Sequence, residues 1–309
     1  MSASLVCSCD SGIPNTGQPG CIDGFSRDAR FIIVPYKDNA GNINSIKLAD
    51  FVAGVLPLAF ITAKINEADK SKRWFITEEF RLPTPERAEP VTEDIDGVGT
   101  VVRQGNKTYS VAFIGKKGNP QYAGRLNAIC QDFGVFSIDV DGRIKGMFVN
   151  SELRPTRVEN GTVNAIYMEP TADTQQKVML GFTVNLTEND GNLSFIEKSH
   201  LGADMLDVKG LIDVSAGDAT GITTTMFTSK LTFCYGEAFN NMKFKGAVLA
   251  DFVLAQISPT PAAVTILTVT ESPDGTYKFT FAAETTGDVL KLTLTKSGFE
   301  MEPLLITIP

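Results

Sequence analysis

Leu180-Gly181-Phe182-Thr183-Val184-Asn185-Leu186 is the stretch that decides the fold class. Its apolar side chains occupy every second position, with Gly181, Thr183 and Asn185 between them. Successive side chains of an extended strand point to opposite faces, so this pattern lays one face on a core and leaves the other to solvent or a neighbour. The same alternation recurs at Tyr277, Phe279 and Phe281, at Leu290, Leu292 and Leu294, and at Leu231, Phe233 and Tyr235. Turn dipeptides punctuate these runs: Asp141-Gly142, Asn160-Gly161, Asp190-Gly191 and Asp274-Gly275. Asp141-Gly142 lies between two apolar runs, 136–140 and 143–148, and reads as a type I′ hairpin. The expected fold is mainly β, an antiparallel β-barrel or sandwich.

The spacing predicts one packed helix over Tyr122–Phe133. There Leu126, Ile129, Cys130 and Phe133 recur at three- and four-residue intervals and Gly134 follows as a C-cap. A second helical candidate runs from Leu48 to Leu56 and stops at Pro57. The last hundred residues carry apolar runs at 206–214, 222–235, 247–257, 264–270, 276–282, 289–295 and 303–308. Short strands at that density read as a β-sandwich. The expected division is therefore 1–205 and 206–309. A break at Ser258-Pro259-Thr260-Pro261 would leave only four strands after it, too few to close a sandwich.

Between Glu78 and Arg103 the alternation stops. The segment holds seven acids, three bases and three prolines, a net charge of −4 out of −8 for the chain. A connection this long inside a domain is functional or disordered far more often than idle. The expectation is a long acidic loop that orders against a neighbouring subunit. Phe80, Leu82, Val91 and Ile95 would dock there, and Arg81 and Arg87 would meet acids.

Composition excludes several function classes. The chain has 309 residues, 43% apolar and 21% charged, which is globular and not disordered. Its longest apolar run, Phe51–Ala63, contains Pro57 and is shorter than a membrane-spanning helix. A charge of −8 opposes a protein that grips nucleic acid by neutralising phosphates. One histidine, His200, leaves no multi-histidine metal site.

Cys7, Cys9 and Cys21 form one close pair and a singleton, where a structural zinc site shows two pairs. They are read as reduced thiols in an N-terminal arm. The start of the chain shows no basic segment followed by an apolar one, so a cytoplasmic site of synthesis is expected. Asp139-Val140-Asp141-Gly142 lacks the preceding acid and the closing Glu of a calcium loop and reads as a turn. Gly115-Lys116-Lys117-Gly118 and Gly97-Val98-Gly99 lack phosphate-loop spacing. No Gly-x-Ser-x-Gly elbow accompanies His200. No catalytic residue, cofactor or metal is expected.

Five stretches together resemble a family of virion structural proteins from tailed phages of Bacteroidetes hosts. They are Lys70-Ser71-Lys72-Arg73-Trp74-Phe75, Arg87-Ala88-Glu89-Pro90-Val91-Thr92-Glu93, Lys107-Thr108-Tyr109, residues 128–146 and Leu153-Arg154-Pro155. The layout also resembles a tail tube protein, with an antiparallel barrel, one packed helix, a long loop between early strands and an added C-terminal immunoglobulin-like sandwich. The resemblance implies a non-enzymatic tube subunit, or a ring, connector or baseplate part of the tail. Its partners would be further copies of itself, other tail proteins, and genomic DNA passing through an acidic lumen without sequence-specific binding. A host-surface-binding sandwich is the reading from a different class. The resemblance transfers no site residue, because such proteins work through surfaces.

Overall fold

Asp28–Pro35, with the sequence Asp-Ala-Arg-Phe-Ile-Ile-Val-Pro, is the central strand of the first unit and is buried along nearly its whole length. Strand accounts for 47% of the structure and helix for 11%, so the chain is mainly β. The structure, a computed structural model, describes residues 24–95, 98–129, 132–237 and 240–309. Cys7, Cys9 and Cys21 lie outside the described residues, as does Cys130. The chain divides into two units at Gly210/Leu211.

In the first unit a large curled sheet runs Ile46–Lys47, Glu152–Arg154, Ile144–Val149, Phe133–Asp139, Asp28–Pro35, Phe75–Ile76. A second sheet runs Asn164–Met168, Lys177–Thr183, Lys107–Ile114, Arg81–Arg87. All pairings in both are antiparallel. The core between the sheets includes Phe31 and Ile33 from the large sheet and Val111, Phe113, Leu180 and Phe182 from the small one. Phe31 touches Phe80, Tyr109 and Phe182 with ring centroids 4.6, 6.3 and 5.5 Å away.

The opposite face of the large sheet is buried too. Ile32 pairs with Phe136, and Trp74 lies 6.0 Å from Phe136 and 5.9 Å from Phe60 of helix α1, Leu58–Ile65. Trp74 is thus a core anchor, 3% exposed. Sheets buried on both faces show unbroken apolar runs in place of alternation, and Phe31-Ile32-Ile33-Val34 is such a run.

The helices differ from expectation in number and place. Leu48–Asp50 makes only a short 3-10 turn. Pro57 precedes helix α1 instead of ending one, since proline is tolerated where no helical N–H is needed. The packed helix α2 spans Pro120–Asn127 and is shorter than Tyr122–Phe133. Asn119 caps it, accepting the Tyr122 N–H at 2.8 Å. Phe133 already belongs to a strand paired with Pro35. Gly134 is a strand residue where an added Cβ would meet Pro155 at 2.8 Å. The Asp141-Gly142 turn is also not type I′. Gly142 has φ +83°, and Asp141 is not among the residues with positive φ. Gly142 donates to Asp139 O at 3.0 Å, the pattern of a turn closed by one left-handed glycine.

The second unit is a sandwich. One sheet runs Ile266–Glu271, Thr276–Phe281, Met226–Glu237, Ile212–Ala216, and the other Ala262–Val264, Phe252–Ser258, Val289–Leu294, Leu304–Thr307. In sequence order this is D-E-B-A opposite C′-C-F-G, the immunoglobulin topology. The last segment switches sheets, with Phe299–Met301 running parallel to Ile212–Ala216. Phe227, Phe252, Tyr277, Phe279 and Leu292 fill its core.

The division at Gly210 lies five residues beyond the expected 205. Residues 205–208 are tied into the first unit by Arg30, which donates to Leu206 O at 2.8 Å and Val208 O at 2.6 Å. Each unit has a core of its own residues. A chain ending at Gly210 is therefore expected to fold, whereas one ending at Asp204 should lose stability. Thermal unfolding of the two truncations checks this, and equal melting temperatures would refute it.

Candidate assembly surface

Most of the acidic segment 78–103 is strand, in Arg81–Arg87, Val91–Ile95 and Val98–Arg103. Arg81–Arg87 forms the edge of the small sheet, with Glu86 opposite Thr108 and Thr84 opposite Ser110. The chain then leaves the sheet as a separate two-stranded hairpin, Val91–Ile95 against Val98–Arg103. The neck is narrow. Ala88 donates to Asn106 O at 2.9 Å, and a Cβ on Gly105 would lie 1.7 Å from Ala88 O, so only glycine fits there.

Every hairpin side chain whose exposure is described is exposed, including Val91 (47%), Val101 (53%) and Val102 (61%). A two-stranded ribbon with no buried face is marginally stable in water. Alternation that would mark a half-buried strand is absent here because neither face meets a core, which explains why this sequence reads as loop.

The edge strand is unsuited to sheet extension. Ala88 N–H faces the neighbouring strand, so by the two-residue period Pro85 occupies a position facing outward. Proline has no N–H to offer there. Pro83 lies in an irregular step between Arg81 and Thr84, where Leu82 takes φ +53° and is 65% exposed. At the opposite edge of the same sheet the Asn127 amide bonds both the N–H and the C=O of Ala165, each at 2.7 Å. It occupies the backbone groups a further strand would use. Both edges are thereby blocked to a continued ladder at these positions.

The six residues expected to act together separate into different environments. Phe80 is 2% exposed, sits on Phe31 and Phe113, and donates its N–H to Ala29 O at 3.0 Å. It is core of its own subunit and is not free to dock elsewhere. Arg81 pairs with Glu79 at 3.4 Å, within the same chain. Arg87 likewise meets an acid of its own chain, Asp190, which also contacts Lys107 at 3.4 Å. Leu82 and Val91 are exposed. Ile95 pairs through its backbone with Val98, and its side chain lies outside the described residues.

Arg87 and Lys107 belong to a polar cleft of about 590 Å³ at the hairpin neck, closed on its other side by residues 184–190. Burial pushes the Glu188 carboxyl in that loop above its usual range, partly offset by the Arg157 N–H it accepts at 3.2 Å. The cleft ties the neck to the small sheet. In the sequence Asp190 reads only as a turn residue, so no local pattern connects it to this site.

Nothing among the described residues forms a cluster of three or more metal-ligating side chains. Asp139 Oδ1 accepts the N–H groups of Asp141 and Arg143, each at 3.0 Å, so that oxygen organises a turn. His200 is exposed. No helix among the described residues is long and apolar enough to cross a membrane. No model of a known protein family matches the chain, and no curated protein does.

Proposed function

We propose that this protein is a non-enzymatic structural subunit of a phage tail, acting as a tube subunit that assembles with copies of itself into stacked rings around passing DNA. The observation that carries the reading is the hairpin of residues 91–103. It stands out from its sheet on a tight neck and exposes valines that none of the described residues covers. A ribbon of that kind gains a buried face only from another molecule. The blocked edges of the small sheet fit contact through the hairpin's side chains and not through a continued ladder. The resemblance to virion proteins, and a net charge of −8 that repels DNA phosphates, support the choice of a tail conduit. The C-terminal sandwich is then an added domain.

Electron microscopy and sedimentation of the purified full chain test the proposal. Rings or tubes that grow with protein concentration are expected. A monomer at every concentration would overturn the tube reading in favour of a connector or peripheral component that needs a different partner.

A further inference from the structure

Three ionisable side chains lie on adjacent strands inside the first unit, and the assembly reading uses none of them. Lys145 lies on the strand Ile144–Val149, Asp139 ends the neighbouring strand, and Asp28 begins the strand beyond it. Lys145 Nζ is in contact with Asp28 Oδ1, and both side chains are only 9% exposed. Asp28 and Asp139 stand opposite each other in the ladder. Asp139 is 0% exposed, and its Oδ2 has no hydrogen-bond partner.

Residues 24–26 lie against this cluster. Lys145 donates to Ser26 O at 2.8 Å, Arg143 to Gly24 O at 2.9 Å, and Phe25 packs edge-on against Phe195 at 5.4 Å.

A buried ion pair carries a desolvation cost that its attraction often fails to cover, and an unpartnered buried carboxylate oxygen adds to that cost. Burial also pushes the Asp28 carboxyl above its usual range, with Asp139 adding to the shift and Lys145 opposing it. A lysine held in contact with a carboxyl two strands away, with a second buried carboxyl on the strand between them, is an arrangement for condensation.

We propose that Lys145 and Asp28 form an intramolecular amide, with Asp139 moving the proton. The Lys145 ammonium gives one proton to the Asp139 carboxylate. The freed Nζ lone pair forms a bond to Asp28 Cγ. The nitrogen loses its second proton as the Cγ–O bond breaks, and the leaving hydroxyl takes a proton and departs as water. The product is one amide, one water and a neutral Asp139. No oxidant, reductant or cofactor takes part, and no charge remains buried. The bond crosses the strand Phe133–Asp139 and fastens the two strands that flank it, together with the segment at residues 24–28.

The mass of the denatured full chain is the test. The expected value is lower than that of the sequence by one water molecule. Trypsin should fail to cut after Lys145, and a branched peptide should appear in which Asp28-Ala29-Arg30 hangs from residues 144–157. Lys145→Arg keeps the positive charge and should restore the full mass. Asp139→Asn should leave the chain unlinked, and Asp139→Glu should recover the link at least in part. A wild-type chain at full mass that is cut after Lys145 would overturn the proposal. Complete linkage in Asp139→Asn would overturn the role given to Asp139. These masses do not depend on whether the protein assembles.

Discussion

Excising residues 89–104 is expected to leave a folded protein that no longer assembles. The neck permits the cut, because Arg87 and Lys107 already stand opposite each other across it. Ala88, Gly105 and Asn106 then form a three-residue connection containing glycine, a common hairpin length. The removed side chains whose exposure is described lie in solvent, so the stability of what remains should change by about 1 kcal/mol or less. The effect on association should be complete, since the exposed Val91, Val101 and Val102 leave with the ribbon. Sedimentation of the variant beside the full chain reads the result. A variant that forms the same particles would remove the hairpin from the assembly mechanism and leave the C-terminal sandwich as the next surface to test.

Arg30→Met should give the largest loss of stability from a single substitution. Arg30 is 5% exposed, and it donates to Thr77 O at 2.9 Å as well as to Leu206 O and Val208 O. Methionine fills similar space and donates nothing, so these three carbonyls and that of Met205, 3.4 Å away, lose a charged partner together. With charge-assisted bonds and buried acceptors at stake, the loss should be about 3–5 kcal/mol. That lowers the melting temperature of a unit this size by roughly 10 °C. Calorimetry should show the transition of the first unit moving while that of the sandwich stays in place. Arg81→Met is the contrast. Its guanidinium is exposed and, among the described residues, pairs with Glu79, and the change should stay within about 0.5 kcal/mol. Equal effects at the two positions would show that the carbonyl cluster around Arg30 does not hold residues 205–208.

The two arginines show how far sequence reading reaches. Both stand in short polar-apolar mixtures, and local pattern does not separate them. Phe80 and Leu82 make the same point two residues apart. Both read as apolar side chains of one loop, yet Phe80 lies against Phe31 in the core while Leu82 is 65% exposed. The difference follows from Phe80 meeting Ala29 and Phe31 of a strand some fifty residues earlier in the chain, which no window around residue 80 contains. The central strand Asp28–Pro35 gave no alternation to detect, because sheet and helix cover its two faces. The hairpin of residues 91–103 gave none because nothing covers either of its faces.

The half-buried strands, and the class they imply, follow from local sequence. Lys177–Thr183, Thr276–Phe281 and Val289–Leu294 alternate in burial as their residues alternate in polarity, because the two-residue period of a strand is a local property of the backbone. The turn at Gly142 and the sandwich character of the last hundred residues were legible for the same reason. Tertiary structure alone decided which strands became neighbours. It placed Asp28 opposite Asp139 and within reach of Lys145, blocked the sheet edges with Pro85 and Asn127, and left the hairpin uncovered. These relations depend on which apolar faces close on one another across long stretches of chain, and that competition for burial is not written in the period of any one segment.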